Sequence, residues 1–370
     1  MSSLKYNLSH LQDIAKERTV KTQSIEYDLE TLVKKISRGI IKLDPDYQRR
    51  HRWDNITSSK LIESLILNIP IPIVYLSQDY DVDVETEEAR YSVIDGQQRL
   101  TAVYNFFNNK FSLEGLESLD DLNGCFYKDL PPFLTRRLEE RTLKCLRIDS
   151  TIDAQVKIDI FERLNSGSVK LEAQELRNAV YSGPFNDLCK TLAQNTNFRI
   201  LLQINIESPE NNSRVKKMED VELVLRFFAL IDNRYEKFKK TKGNNFKNFL
   251  SETMEEYNRK TEKDLVKFST EFIKTMEIIV RDFGTTAFAK YIFEDGQLRQ
   301  QSKFNFAVYD ALAPSCHDLI YNFDKGSFTD KVEKFKDLFK KPEFYASLVG
   351  SYLDTSKLHY RIIETKKALQ

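Results

Sequence analysis

The chain has 370 residues, more than one compact core usually organises, so two or three packed subdomains are expected. Its 56 lysines and arginines balance 56 aspartates and glutamates. That excludes a global field pulling the molecule onto DNA or an anionic membrane, and any nucleic-acid contact must be local. From Met1 to Asp13 there is no basic start, apolar run or small-residue cleavage site, and no later stretch approaches membrane-spanning length. This reads as a cytoplasmic chain with no membrane partner. Cys125, Cys145, Cys189 and Cys316 lack C-x-x-C spacing and read as buried thiols. His10, His51, His317 and His359 form no metal-binding pair at helical spacing, which argues against a histidine-built metal centre.

In chain order, Leu29, Leu32, Val33 and Ile36 predict a helix that stops at Gly39, with a short strand from Ile40 to Leu43. Pro45 opens a basic loop, Asp46 to Trp53, in which Trp53 reads as a core anchor. Ser58 or Ser59 then caps a helix through Leu61, Ile62, Leu65 and Ile66, which Pro70 and Pro72 end. Ile73 to Leu76 and Tyr91 to Ile94 read as strands around an acidic connection, Asp79, Asp81, Asp83, Glu85, Glu87 and Glu88. A solvated hairpin accounts for those acids better than a calcium loop does. Leu130-Pro131-Pro132 opens a helix, and Thr142 to Ile148 returns to the sheet. From Ala154 onward the spacing is mainly helical, including Asp220 to Ile231, Thr261 to Phe283 and Phe304 to Tyr321. Asp295-Gly296-Gln297-Leu298-Arg299 follows Lys290 to Glu294 in this helical region and reads as a chance echo of a motif described next.

That motif is Ile94-Asp95-Gly96-Gln97-Gln98-Arg99-Leu100-Thr101, a strand running through a glycine turn into an amphipathic helix. The unpaired amides of a helix start attract anions, Gly96 allows close approach, and Arg99 adds a forked donor suited to phosphate. Asp95 then suits a divalent cation or an oriented water. The competing reading is an ordinary helix start, with Asp95 capping Gln97 or Gln98 and Arg99 solvated. Spacing leaves the two open. Gln48, Arg49, Arg50 and Arg52 concentrate cationic and amide donors at a second strand-to-helix junction. A third constellation, Phe161 to Leu171 with Arg163 and Asn165, leads into Glu172, Gln174, Glu175, Leu176, Arg177 and Asn178 and suggests a helix-turn-helix. The acidic residues on its second helix argue against major-groove reading. Glu175 and Arg177 are not at facing helical spacing, so they should serve different partners.

Taken together, P-D-Y-Q-R-R-H-R-W, L-I-E-S-L-I-L-N-I-P-I-P, I-D-G-Q-Q-R-L-T-A-V and F-E-R-L-N-S-G-S-V-K-L-E-A-Q-E-L-R-N closely resemble the N-terminal domain of GmrSD-type restriction proteins and the related SspE-like defence proteins. The resemblance, over roughly residues 20–190, implies a ParB/sulfiredoxin-like α/β core, taken as a domain over 1–150; with the helical spacing beyond it, the chain is expected to be α+β, with a helical segment over 151–215 and a helical domain over 216–370. It implies nucleoside-triphosphate hydrolysis, with Mg2+, coupled to restriction of phage DNA. Asp95, Gln97, Gln98 and Arg99 carry over as the motif that activity requires, and Asp95 is the candidate metal ligand on the phosphate-binding reading of the helix start. Gln48, Arg49, Arg50, Gly96, Thr101, Arg163 and Asn165 carry over as nucleotide-binding residues, and Glu175 and Arg177 as second-signature residues. Longer members add a histidine-containing nuclease domain. Here the late candidates are only His317, Asp318, Asn322 and His359, so a separate nuclease partner is expected. The alternative is a non-catalytic regulatory subunit. DNA contact falls to Arg49, Arg50 and Arg52 and to the cluster Lys237, Lys239, Lys240, Lys242 and Lys247, and a homo-oligomer is left open.

Overall fold

The computed structural model describes residues 21–43, 53–82, 89–149, 160, 172–181, 183–239, 245–322 and 331–370. The chain divides into two compact units, residues 1–171 and 172–370. The expected boundary between 150 and 151 lies outside the described residues, and the one between 215 and 216 falls within the second unit. The class is α+β, with the larger sheet in the first unit and helices dominating the second. No described helix is long and apolar enough to cross a membrane.

The first unit runs β1 (Thr22–Asp28), α1 (Leu29–Ser37), β2 (Ile41–Lys42), α2 (Asn55–Ile66), β3 (Val74–Val82), β4 (Ala89–Asp95), α3 (Gln97–Phe107), α4 (Pro132–Glu139) and β5 (Thr142–Ile148). The strands lie in the order β1-β5-β3-β4-β2. β1 with β5 and β3 with β4 are antiparallel, while β3 with β5 and β2 with β4 are parallel. Leu29, Leu32 and Ile36 of α1, Leu61 to Ile66 of α2 and Leu100, Val103 and Phe106 of α3 join Val74, Leu76, Leu143 and Cys145 in one core. The Asp28 carboxylate starts α1 by accepting the Thr31 amide at 2.7 Å, a bond that holds its pKa below the usual range. Gly39, with φ of +71°, stops the helix where the spacing predicts.

Two expectations in this unit are corrected. The cap of α2 is Asp54, whose Oδ1 accepts the Thr57 amide at 2.8 Å, rather than Ser58 or Ser59. A carboxylate at a helix start adds charge-dipole attraction to the hydrogen bond, so the helix begins a turn earlier. Both serines are then buried inside it, and Ser59 Oγ accepts the Glu114 amide at 3.0 Å. Trp53 is not a core residue, because 37% of it is exposed. β1 goes unpredicted, since Thr-Gln-Ser-Ile-Glu-Tyr-Asp is a mostly exposed edge strand held by its ladder to β5 rather than by an apolar face.

The second unit comprises α5 (Ala173–Val180), α6 (Pro184–Leu192), α7 (Thr196–Leu201), α8 (Ser213–Lys216), α9 (Glu219–Leu230), α10 (Phe246–Asn258), α11 (Glu262–Phe283), the hairpin β6 (Lys290–Glu294) and β7 (Gln297–Ser302), α12 (Phe306–Asn322), α13 (Val332–Asp337), α14 (Pro342–Ser347) and α15 (Thr355–Leu369). Helix α9 is buried on every side, from Asp220 to Leu230 with Glu222 excepted. Edge-on contacts of Phe227 with Phe272 at 5.2 Å and of Phe185 with Phe228 at 5.4 Å build the core around it. Each such pair adds roughly 0.5–1.5 kcal/mol beyond its buried area. The stretch from Lys290 to Glu294, read as helical from sequence, is a strand. Asp295 and Gly296, with φ of +52° and +76°, make the hairpin turn that the motif echo concealed.

A buried ionic network ties α5, α9, α12 and α15 together. Arg226 donates to both carboxylate oxygens of Asp310, at 2.9 and 2.5 Å, and Arg361 donates to Oδ2 of the same residue at 3.0 Å. Arg177 and Arg226 share Glu222, at 3.0 and 3.4 Å. Asp310→Ala should therefore strand two buried guanidinium groups and cost about 3–5 kcal/mol. Urea unfolding checks this, and exposed Asp337→Ala, as a control, should move stability by no more than about 0.5 kcal/mol.

Candidate functional site

The junction of β4 and α3 is a strand-turn-helix in which Gly96 is the helix N-cap, with φ of +99°. Glycine is required here twice over. The dihedral is left-handed, and a Cβ would lie 2.9 Å from Val74 Cγ2. Gly96 itself has no side chain with which to cap the helix, and α3 starts on the amides of Gln97, Gln98 and Arg99 directly after the strand.

Asp95 pairs with Arg99. Its Oδ2 accepts from Arg99 Nη2 at 2.6 Å, and the Asp95 side chain keeps 30% exposure. Arg99 is neither solvated nor directed outward. It is buried, and its Nη1 donates to the carbonyl of Ile73 at 3.2 Å and to that of Pro72. From the other side Arg141 donates to Asn68 Oδ1 and to the Ile69 carbonyl at 3.4 Å. Two arginines thus hold the Leu67–Ile73 turn, whose Leu67, Ile69 and Ile73 are exposed. Burial beside this arginine pushes the Cys145 thiol up to about 11, which makes it a poor nucleophile near neutral pH.

Gln98 joins the two junctions, since its Oε1 accepts the Trp53 amide at 3.2 Å. The end of the basic loop is thereby fixed beside the first turn of α3, with the Trp53 ring part-exposed next to it. Thr101 Oγ1 donates to the Gln97 carbonyl one turn back, at 2.8 Å. Gln97 is buried. Gln48, Arg49, Arg50 and Arg52, like Arg163 and Asn165, lie outside the described residues.

The second-signature residues fold into the helical unit. Glu175 closes the start of α5 by accepting the Glu172 amide at 2.7 Å, while Arg177 donates to Gln174 at 2.6 Å and to Glu222 at 3.0 Å. They serve different partners, as their spacing predicts, and both are buried. Of the late candidates, His317 and Asp318 are buried neighbours on α12, and His359 Nε2 donates to the Tyr235 carbonyl at 2.7 Å. The side chain of Asn322 lies outside the described residues. Lys237, Lys239 and Lys247 are exposed, and Lys240 and Lys242 lie outside the described residues.

One buried carboxylate escapes a sequence reading. Glu63 on α2 accepts the amides of Ser118 and Leu119, both at 2.9 Å. Its signal is a charged residue at the buried spacing of Ser59, Ile62 and Ile66.

A family model described as the GmrSD restriction endonuclease, N-terminal domain, matches residues 29–182. Searches of the curated proteins and of the solved structures find no match. The matched span takes in the β4–α3 junction, the braced turn and the second signature, and over residues 29–182 the chain is similar to the GmrSD restriction endonuclease N-terminal domain.

Proposed function

We propose that this chain is the nucleotide-responsive component of a restriction-like anti-phage system, binding a nucleoside triphosphate at the start of α3 and hydrolysing it with Mg2+. The restriction-like assignment follows from the domain family. The observation that supports the nucleotide reading is the helix start itself: Gly96 in left-handed geometry between a strand and the N-terminal end of α3, where the helix dipole favours phosphate. Asp95 is the residue that would hold Mg2+, which bridges phosphates in phosphoryl transfer. Its carboxylate fits that role in being part-exposed while Arg99 keeps its orientation. In this reading Arg99 is a positioning residue: its donors go to Asp95 and to two carbonyls, so it shapes the helix start rather than contacting phosphate itself.

A second reading rests on the same arginine. With Arg99 committed inside the unit, no guanidinium of the motif is left to stabilise charge developing at a transferring phosphoryl group. That favours a regulatory subunit that binds nucleotide without turnover. Phosphate release from each triphosphate, with and without DNA of differing modification, separates the two.

Arg99→Ala should lower unfolding stability and triphosphate affinity together, because the Leu67–Ile73 turn and Asp95 lose their shared brace. Arg99→Lys should restore neither fully, since an ammonium cannot reproduce the forked geometry. Calorimetric affinity equal to wild type in a folded Arg99→Ala protein would contradict the site. Asp95→Asn should keep nucleotide binding within a few-fold and reduce Mg2+-dependent turnover by at least about 100-fold. Unchanged turnover would remove the proposed metal role. The purified 370-residue chain should leave DNA intact until a partner nuclease is added. Magnesium-dependent nicking that a point mutation in this chain abolishes would show that no partner is needed.

A further inference from the structure

The turn after α9 carries two successive non-glycine residues in left-handed geometry, Asp232 and Asn233, with φ of +52° and +59°. Such a backbone persists only where its surroundings hold it. Three side chains from two helices do so. Asp318 Oδ1 accepts the Asp232 amide at 2.7 Å, Lys366 Nζ donates to Asn233 Oδ1 at 2.7 Å, and His359 donates to the Tyr235 carbonyl. Asp318 is the hub, because its Oδ2 also takes Lys366 at 2.5 Å and its Oδ1 takes His317 Nδ1 at 3.1 Å.

Asp232, His317 and Asp318 each bring a ligand-type atom within 4.8 Å of the others. A metal is nevertheless the weaker reading. Both oxygens of Asp318 already accept hydrogen bonds, and the cluster's resident cation is Lys366. The other face of His317 supports an imidazolium, since Nε2 has no hydrogen-bond partner and lies 3.7 Å from Glu271 Oε2 of α11. That separation is too long for a direct bond and short enough for an ion pair.

We propose that His317 is a protonation-dependent pin that holds the turn at Ile231–Lys237 against α11, α12 and α15 and releases it as pH rises. Facing the ring are Asp318 from its own helix, Glu271 from α11 with Lys267 3.6 Å from that carboxylate, Asp232 from the turn and Lys366 from α15. The Phe227 ring of α9 stands edge-on at 5.4 Å, and Tyr321 lies at 5.0 Å with Lys274 Nζ 5.6 Å from its ring centroid. Burial alone would favour neutral imidazole. The bond to Asp318 and the facing Glu271 carboxylate outweigh it and raise the pKa from 6.5 to about 8. A raised folded-state value means that the stabilisation is complete below about 6.5 and is lost as pH passes about 8. The released segment would be the one bearing exposed Lys237 and Lys239.

The test uses the full chain. Histidine-ring NMR follows four histidines, with the His317 signal assigned by its loss in His317→Gln. It should titrate well above an ordinary histidine. Over the same range, hydrogen exchange of residues 231–237, corrected for the intrinsic rate, should rise several-fold. In His317→Gln that rise should disappear. If His317→Gln does not fold, Asp318→Asn provides the second variant and should lower the His317 titration. Titration at or below the ordinary value, or unchanged protection of the turn across it in wild type, would overturn the proposal.

Discussion

A single guanidinium organises the end of the sheet in the first unit. Arg99 sits one helical turn beyond Asp95 and reaches back to the carbonyls of Pro72 and Ile73, which precede β3. Backbone carbonyls in a proline-rich turn have no ladder to join, and leaving such groups unpaired in a buried setting costs about 1–3 kcal/mol each. The arginine satisfies them and fixes a carboxylate with the same planar group. Gly96 makes this possible, because a side chain there would collide with Val74 and crowd Arg99. The placement of Asp95 follows from that brace, so the motif is first of all a structural unit.

The joining of distant segments explains what a sequence can and cannot reveal here. The β4-Gly96-α3 junction, the stop at Gly39 and the strand at Thr142–Ile148 were legible because each depends on neighbours within a few residues. The destination of Arg99 was not, since its carbonyl partners lie 26 and 27 residues away. Trp53 misled for a related reason. A lone tryptophan looks like core, but its backbone is tied to Gln98 and its ring remains part-exposed. The hairpin at Lys290–Ser302 was missed because its strands bury little, so the apolar alternation that identifies a strand is absent.

The second signature gives a different lesson about domain limits. The matched family span ends at residue 182, whereas the division between compact units falls after residue 171. Helix α5 therefore belongs to the family's sequence pattern and to the core of the helical unit at once. Arg177 is the reason: a fully desolvated guanidinium needs its carboxylate, and Glu222 lies on α9. Residues that look like catalytic candidates in a motif are here the anchor of the motif's last helix.

The same logic accounts for a neutral chain with charged interiors. Arg177, Arg226 and Arg361 face Glu222 and Asp310, leaving one positive charge in excess within a buried network. Carbonyl dipoles meet part of that excess, since Arg361 also donates to the backbone oxygens of Ser347 and Tyr352. Around Asp318 the imbalance runs the other way, with Asp232, Glu271 and Asp318 against Lys366 and Lys267. A third positive charge on His317 offsets it. One cluster is built from arginines and keeps its charge at any physiological pH, whereas the other balances only while an imidazole stays protonated. The helical unit thus has a fixed ionic core joining α5, α9, α12 and α15 and a titratable one at the turn after α9. On the proposed reading, loosening of this unit as pH rises begins at that turn, away from the contacts that hold α5 in place.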